Sequence, residues 1–354
     1  MKQWRLILVG VILIILVSGC KPANGDKKQV ETESPATEVS APVESPTPLP
    51  AVISVSNAGY LRTVSQVQFA NPYHLEWSAD GSRFAVASSE GFQIFDAKSL
   101  KVLNNIQIQS YELLDFSLAA NLFAITDQHQ TIDLLDITTG TKVLSIKPTD
   151  IFPMAEFSPD GKTLLTTSDE RFRADLWDVQ TGNFLTSYTG FETAAPVYSV
   201  HFAAGGSKLV FIARGTVQVI DTASGALAAR LEHEDFVQGW ALSPDTRTMA
   251  TASGATIGND FLPVIKLWDP ENILPPSILL SGDMVSLALT YAPDGSLLAS
   301  TNGKTLTLWD VAQQHRLGDW SAHSDILTAL AFSPDGTRLL SASADGTVFI
   351  WMVQ

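Results

Sequence analysis

One short phrase recurs along this chain at a nearly constant interval, and that interval limits the possible folds more than any other feature. It reads Trp77-Ser-Ala-Asp-Gly81, Phe157-Ser-Pro-Asp-Gly161, Tyr291-Ala-Pro-Asp-Gly295 and Phe332-Ser-Pro-Asp-Gly336. Weaker copies stand at Phe116-Ser-Leu-Ala-Ala120, Phe202-Ala-Ala-Gly-Gly206 and Leu242-Ser-Pro-Asp-Thr246. The seven leading residues lie 39, 41, 45, 40, 49 and 41 positions apart, a mean of 42.5. Units of this size, built from short strands and turns, cannot bury a face alone. Neighbours must stack on one another.

Each copy has the same internal order. Proline presets φ, aspartate bonds the local backbone and glycine accepts φ > 0, so Pro-Asp-Gly is a turn. A short apolar strand follows, as in Leu339-Leu-Ser-Ala-Ser343, then a second turn at Ala344-Asp-Gly346 and an alternating strand, Thr347-Val-Phe-Ile-Trp351. That second strand ends on a large apolar residue followed by aspartate: Phe95-Asp96, Leu135-Asp136, Trp177-Asp178, Ile220-Asp221, Trp268-Asp269 and Trp309-Asp310, with Trp351-Met352 as the exception. No helical periodicity of useful length follows residue 60.

On these phrases, residues 53–354 resemble a Trp-Asp (WD-repeat) β-propeller. The resemblance implies an all-β fold of seven four-stranded blades around a central channel. The last repeat reaches Trp351 without an outermost strand of its own, while Tyr60-Leu-Arg-Thr-Val64 resembles the strand that normally follows a Trp-Asp pair. This N-terminal strand is therefore expected to complete the last blade and close the ring, leaving fewer free strand edges. The family's buried polar network is best matched in blade 7 by His323, Ser341 or Ser343, Asp345 and Trp351. Blade 5 matches it in part, at His233, Thr251 or Ser253, and Trp268. Blades 1, 2 and 4 depart from the pattern.

The first 52 residues have a different character. Lys2 and Arg5 precede an apolar run, Leu6 to Val17, broken only by Gly10. A run of twelve residues is short for ~30 Å of hydrocarbon but suits a secretory signal. Val17-Ser18-Gly19 then leads to Cys20, the one cysteine of the chain. This end resembles a bacterial lipoprotein signal. The resemblance implies cleavage after residue 19, lipidation of Cys20 and a place in the bacterial cell envelope, on the extracytoplasmic side of a membrane. An uncleaved anchor is the alternative. Each buried acyl CH₂ contributes roughly 0.8 kcal/mol, so two or three chains would hold the protein firmly. Residues 20–52 contain Pro22, Pro35, Pro42, Pro46, Pro48 and Pro50 among Ser, Thr and Glu, with no aromatic side chain. They read as a tether, at most ~100 Å long when extended.

Composition narrows the chemistry. With 37 Asp+Glu against 22 Lys+Arg the formal charge is −15, which repels phosphate backbones and argues against nucleic acid as a partner. A lone cysteine forbids an intramolecular disulfide and multi-cysteine metal sites. No Gly-rich phosphate loop, His-Glu-x-x-His or Gly-x-Ser-x-Gly occurs, and no catalytic residue, metal or cofactor is expected. The histidines at 74, 129, 201, 233, 315 and 323 are scattered, and His323 and His233 read as structural hydrogen-bonding groups rather than general bases. The aspartates after the strand-end aromatics read as turn acceptors, and Trp177, Trp268, Trp309 and Trp351 as core. A cluster of inward-facing acids would favour channel chemistry; none is visible in the sequence.

Recognition is the better use of such a fold. In the propeller family the loops before the innermost strand and between the second and third strands share one rim, the top. From leading residue to strand-end residue the seven copies count 18, 19, 20, 18, 26, 18 and 19 positions, so blade 5 carries an insertion within residues 254–263. Tyr73, Ile151, Tyr198, Phe236 and Ile326 align at this rim, joined by Phe172, Phe191 and Phe261, with Arg171 and Arg173 as charged neighbours. The expectation is a monomeric, membrane-tethered, noncatalytic scaffold that binds a protein or peptide there. An envelope-assembly propeller lipoprotein and, further off, a channel-site enzyme are the alternatives.

Overall fold

The computed structural model describes residues 50–108, 112–126, 130–149, 154–168, 173–189, 197–213, 215–270, 275–321 and 323–354, with only the backbone of Ser168 and Tyr198. Their strands form seven four-stranded antiparallel sheets, a seven-bladed β-propeller. Among the described residues the only helical elements are two three-residue 3-10 turns, Ala58–Tyr60 and Ala204–Gly206.

From the innermost strand outward, blade 1 is His74–Trp77, Arg83–Ser88, Gly91–Asp96 and Val102–Gln107. The next four repeat the order, with innermost strands Glu112–Ser117, Ala155–Phe157, Val197–Ala203 and Gly239–Leu242. Blade 6 begins with Leu289–Tyr291. Blade 7 runs Leu327–Phe332, Leu339–Ser343 and Thr347–Val353, and its outermost strand is Leu61–Gln68. That last pairing is antiparallel, from Leu61 opposite Val353 to Gln68 opposite Thr347.

The second strands are buried on both faces over most of their length and the third strands more variably, and the apolar residues of neighbouring blades pack together between the sheets. Phe84 and Val86 of blade 1 meet Leu340, Ala342, Val348 and Ile350 of blade 7 in one cluster. Ile53 and Leu61 join Leu297, Leu306, Leu308, Leu339 and Trp351 in another. The fold is therefore held by contacts between consecutive modules, as its sequence period requires.

The recurrent phrase makes a recurrent turn. The Ser78 hydroxyl donates to Asp80 Oδ1 at 2.7 Å and accepts the Arg83 N–H at 2.9 Å. The same pair of bonds recurs at Ser158, Ser243 and Ser333. Gly81, Gly161, Gly295 and Gly336 all take a left-handed φ, between +66° and +74°. In the degenerate fifth copy Thr246 is held at φ +64°, where a β-branched side chain is strained by roughly 1–2 kcal/mol. Thr246→Gly is therefore expected to raise the urea midpoint, by about 1 kcal/mol of stability. An unchanged or lowered midpoint would refute the strain.

Blade 5 departs from its neighbours in length. Its second and third strands, Met249–Ile257 and Asp260–Trp268, pair without interruption from Met249 opposite Trp268 to Ile257 opposite Asp260. In blade 6 the corresponding ladder stops at Asn302 opposite Thr305. The insertion is thus neither loop nor coil but additional rungs of a hairpin projecting beyond the blade. Gly258, at φ +66°, takes the first position of its two-residue turn, as hairpin twist favours.

Candidate functional site

The polar network expected in blade 7 is present and fully connected. Trp351 Nε1–H donates to Ser341 Oγ at 2.8 Å, and Ser341 Oγ lies 2.7 Å from His323 Nε2. His323 Nδ1 faces Thr347 Oγ1 at 2.9 Å and Asp345 Oδ2 at 3.3 Å. An Nδ1–H aimed at the carboxylate leaves Nε2 to accept the serine proton. Burial lowers the His323 pKa against the pull of Asp345. Burial of Asp345 is outweighed by donors from Thr347, Ser324 and His323, which hold its carboxyl at about 2. Ser341 rather than Ser343 is the shared hydroxyl. Ser343 instead donates to the Asp325 carbonyl at 3.0 Å, and Thr347 is a member that the sequence did not single out.

The tryptophans repeat one bond. Nε1–H of Trp177, Trp268 and Trp309 donates to Thr166, Thr251 and Ser300 at 2.9, 2.7 and 2.8 Å. In blade 5 the network goes no further than a long contact, 3.4 Å, from His233 Nδ1 to Ser253. His233 Nε2 is buried without a partner, and burial together with nearby Lys266 pushes the ring to about 4. The strand-end aspartates are turn acceptors: Asp96, Asp136, Asp178, Asp221 and Asp310 each take the N–H three residues on, at 2.7 to 2.9 Å.

The innermost strands also carry a series that the sequence did not single out, with acids in blades 1 to 3 and a histidine in blade 4. Glu76 accepts the Leu118 N–H at 3.1 Å, and Asp115 accepts the Phe157 N–H at 2.7 Å. Glu156 accepts the Phe202 N–H at 3.0 Å and faces His201 Nδ1 at 2.6 Å. The His201 ring then lies 5.4 Å from that of Trp240 in blade 5. Each side chain reaches from one innermost strand to the next module, so the series clamps blades 1 to 5 in sequence. Burial raises the Glu76 carboxyl to about 7 despite its hydrogen bond. Burial, then the charges of Glu156 and Glu76, push Asp115 well above the carboxylate range. His74, packed edge-on against Phe116 at 5.2 Å, is held neutral by burial. All three carboxyls are engaged by main-chain donors, and among the described residues no group of His, Cys, Asp and Glu is placed to hold a metal ion. A signal for them existed: each stands immediately before the leading residue of its repeat.

The rim residues fall into two sets. Phe236 and Phe261 both belong to blade 5, on the loop before its innermost strand and on its hairpin. Thr256 N–H donates to Glu234 Oε2 at 2.9 Å, tying the hairpin to the loop that carries Phe236. A Cβ at Gly254 would meet the Phe261 ring at 2.2 Å and Asp235 Oδ2 at 3.2 Å, so only glycine there lets the ring lie across the strand. Phe236 and Phe261 remain 40% and 59% exposed. Tyr73, 49% exposed, stands apart at blade 1, its hydroxyl pKa raised by burial and by Asp115 and Glu112. Ile326 is half-buried in blade 7. Cys20, Ile151, Phe172 and Phe191 lie outside the described residues, as does the Tyr198 side chain. Arg173, expected as an exposed charge, is instead largely buried and paired with Asp175 at 2.7 Å. The exposed apolar side chains Met284 and Leu287, in the loop before blade 6, were not singled out by alignment.

Comparison with known proteins agrees with this architecture. The WD domain, G-beta repeat family (WD40) matches residues 314–352. Over 305 residues the chain is 22% identical to a serine-threonine kinase receptor-associated protein of Dictyostelium discoideum, covering 83% of this chain and 97% of that one. It is 25% identical over 206 residues to the target of rapamycin complex subunit wat1 of Schizosaccharomyces pombe, 56% of this chain and 63% of the other. It is 27% identical over 184 residues to transducin beta-like protein 3 of Bos taurus, 49% of this chain and 22% of the other. The chain thus spans about a fifth of the length of the transducin beta-like relatives it matches. A seven-bladed all-β ring whose last repeat matches the WD domain, G-beta repeat family is what these residues make.

Proposed function

We propose that the chain is a noncatalytic protein-interaction scaffold, lipid-anchored through Cys20 and docking a protein or peptide on the top rim around the blade 5 hairpin. The observation that carries the reading is that hairpin: additional rungs beyond the blade, with Phe261 on it 59% exposed and the loop of Phe236 tied to it through Glu234. Large aromatic side chains kept in water on a rigid element are costly unless a partner covers them. Two relatives support a protein partner by name, one as receptor-associated and one as a complex subunit. The anchor rests on Lys2, Arg5, the apolar run and the position of the one cysteine.

Crosslinking in native membranes followed by mass spectrometry tests both parts. A variant combining Phe236→Ala with residues 256–261 replaced by a Gly-Asn turn keeps the Ala255–Leu262 rung. It is expected to melt within a few degrees of the parent and to lose most of the crosslinked partner. Undiminished crosslinking would refute the rim site. Cys20→Ser is expected to move the chain out of the membrane fraction, and retention there would refute the anchor.

A further inference from the structure

The apolar residues of the blade 5 rim are framed by carboxylates. Three segments converge there: the loop 233–238, the hairpin 253–264 and the loop 281–288. The first is tied to the hairpin by Glu234, and the third by the Ser281 N–H, which donates to the Pro263 carbonyl at 3.2 Å. The third also presses on the start of blade 5, where a Cβ at Gly239 would meet the Ser286 carbonyl at 2.7 Å. Exposed Phe236, Phe261 and Met284 thus belong to one continuous part of the rim.

The acids occupy the same three segments. Glu234 and Asp235 precede Phe236, Asp260 precedes Phe261, and Asp283 precedes Met284. Glu234, Asp260 and Asp283 are exposed, and Asp235 is half-buried with its carboxylate beside the Phe261 ring. Cations at this place are few and already engaged. Lys266 is buried beneath the hairpin, its ammonium 5.7 Å over the Trp268 ring, and Lys304 donates to the Ser324 carbonyl at 2.5 Å. Arg230, on the preceding strand, pairs with Glu232 at 2.7 Å.

We infer that this rim takes a basic, apolar peptide segment, one in which Lys or Arg alternates with large hydrophobic side chains. The inference rests on the rim being a docking site, as proposed above, and adds the chemistry of the occupant. Guanidinium and ammonium groups would pair with Glu234, Asp235, Asp260 and Asp283 and lie over the two phenylalanine faces. Aliphatic or aromatic side chains would cover Phe261 and Met284. An acidic segment would place like charges against four carboxylates, and an anionic lipid surface would meet the same repulsion.

The test is panning of phage-displayed random 12-residue peptides on the immobilised full chain at low salt. Enriched sequences are then synthesised and measured by fluorescence anisotropy. Expected are enriched peptides of net positive charge with at least one large apolar residue. Binding should weaken at least tenfold in Phe261→Ala and in the triple variant Asp235→Asn, Asp260→Asn, Asp283→Asn, and fall several-fold as salt rises from about 50 to about 200 mM. Enriched peptides that are neutral or acidic, or insensitive to salt and to the triple variant, yet lost in Phe261→Ala, would overturn the basic chemistry and leave the docking site standing. Basic peptides that bind Phe261→Ala and Phe236→Ala as tightly as the parent would overturn the site itself. No enrichment at all would overturn both.

Discussion

A chain that starts at residue 70 is expected to lose its cooperative fold, while one that starts at residue 50 melts within a few degrees of the full chain. The first deletion removes the strand Leu61–Gln68, the fourth of blade 7, and strips the partner from every ladder position between Thr347 and Val353. It also removes Ile53 and Leu61, both 0% exposed, from the cluster that joins blades 6 and 7 around Leu306, Leu339 and Trp351. Fully burying such side chains contributes roughly 1.5–3 kcal/mol each. With Val67 as a third, the loss is about 4.5–9 kcal/mol before any hydrogen bond is counted, comparable with the whole stability of an ordinary domain. The exposed strand Thr347–Val353, rich in Val, Phe, Ile and Trp, would then be a free pairing edge. Far-UV circular dichroism melts and size-exclusion chromatography distinguish the outcomes. A chain from residue 70 that melts cooperatively near the parental temperature would show that this strand is dispensable.

The ring was legible because its punctuation is local. Serine, aspartate and glycine within five residues make the turn in blades 1, 3 and 7, and the strand-end tryptophan lies 9 to 11 residues from the hydroxyl it bonds at Trp177, Trp309 and Trp351, and 17 at Trp268 across the blade 5 insertion. Even where the fifth copy lacks glycine, Thr246 is forced into the glycine conformation by the bonds around it. The surplus of blade 5 could be counted, but its form depends on the Gly258-Asn259 pair between Ile257 and Asp260, a two-residue hairpin signal that a count of positions ignores. The acids of the innermost strands were the least visible. Glu76, Asp115 and Glu156 meet donors 42, 42 and 46 residues ahead, so no local motif joins them. Only superposition of the repeats shows them, as the residue facing the next module just before the residue that faces the previous one. The pairing of Arg173 with Asp175 was concealed for a different reason: an Arg-x-Asp strand places both on one face, and only burial makes the pair matter.

Those acids determine the second large effect, a stability difference that changes with pH. Glu76→Gln is expected to be nearly neutral at pH 4.5 and to stabilise the fold at pH 8, and Asp115→Asn to act in the same direction. Burial holds the Glu76 carboxyl at about 7 in the folded chain, against the ordinary 4.5. Between those values the native state keeps a proton that the unfolded chain releases, so stability falls as pH rises through the window and stays lowered above it. A glutamine keeps the carbonyl oxygen that accepts the Leu118 N–H and cannot ionise. At about 1.4 kcal/mol per pH unit the gain at pH 8 approaches about 3 kcal/mol, reduced toward about 1 by partial solvation. The wild-type curve alone would obscure this. His233, pushed down to about 4, destabilises the fold as pH falls below 6.5, a slope of opposite sign across much of the same range. Its effect cancels when each variant is compared with the parent at equal pH. Urea titrations at pH 4.5, 6 and 8 make the measurement. A difference between Glu76→Gln and parent that does not grow with pH would mean that Glu76 ionises freely where it stands. The same growth with pH in Asp115→Asn would show that burial also holds the Asp115 carboxyl protonated in the folded chain.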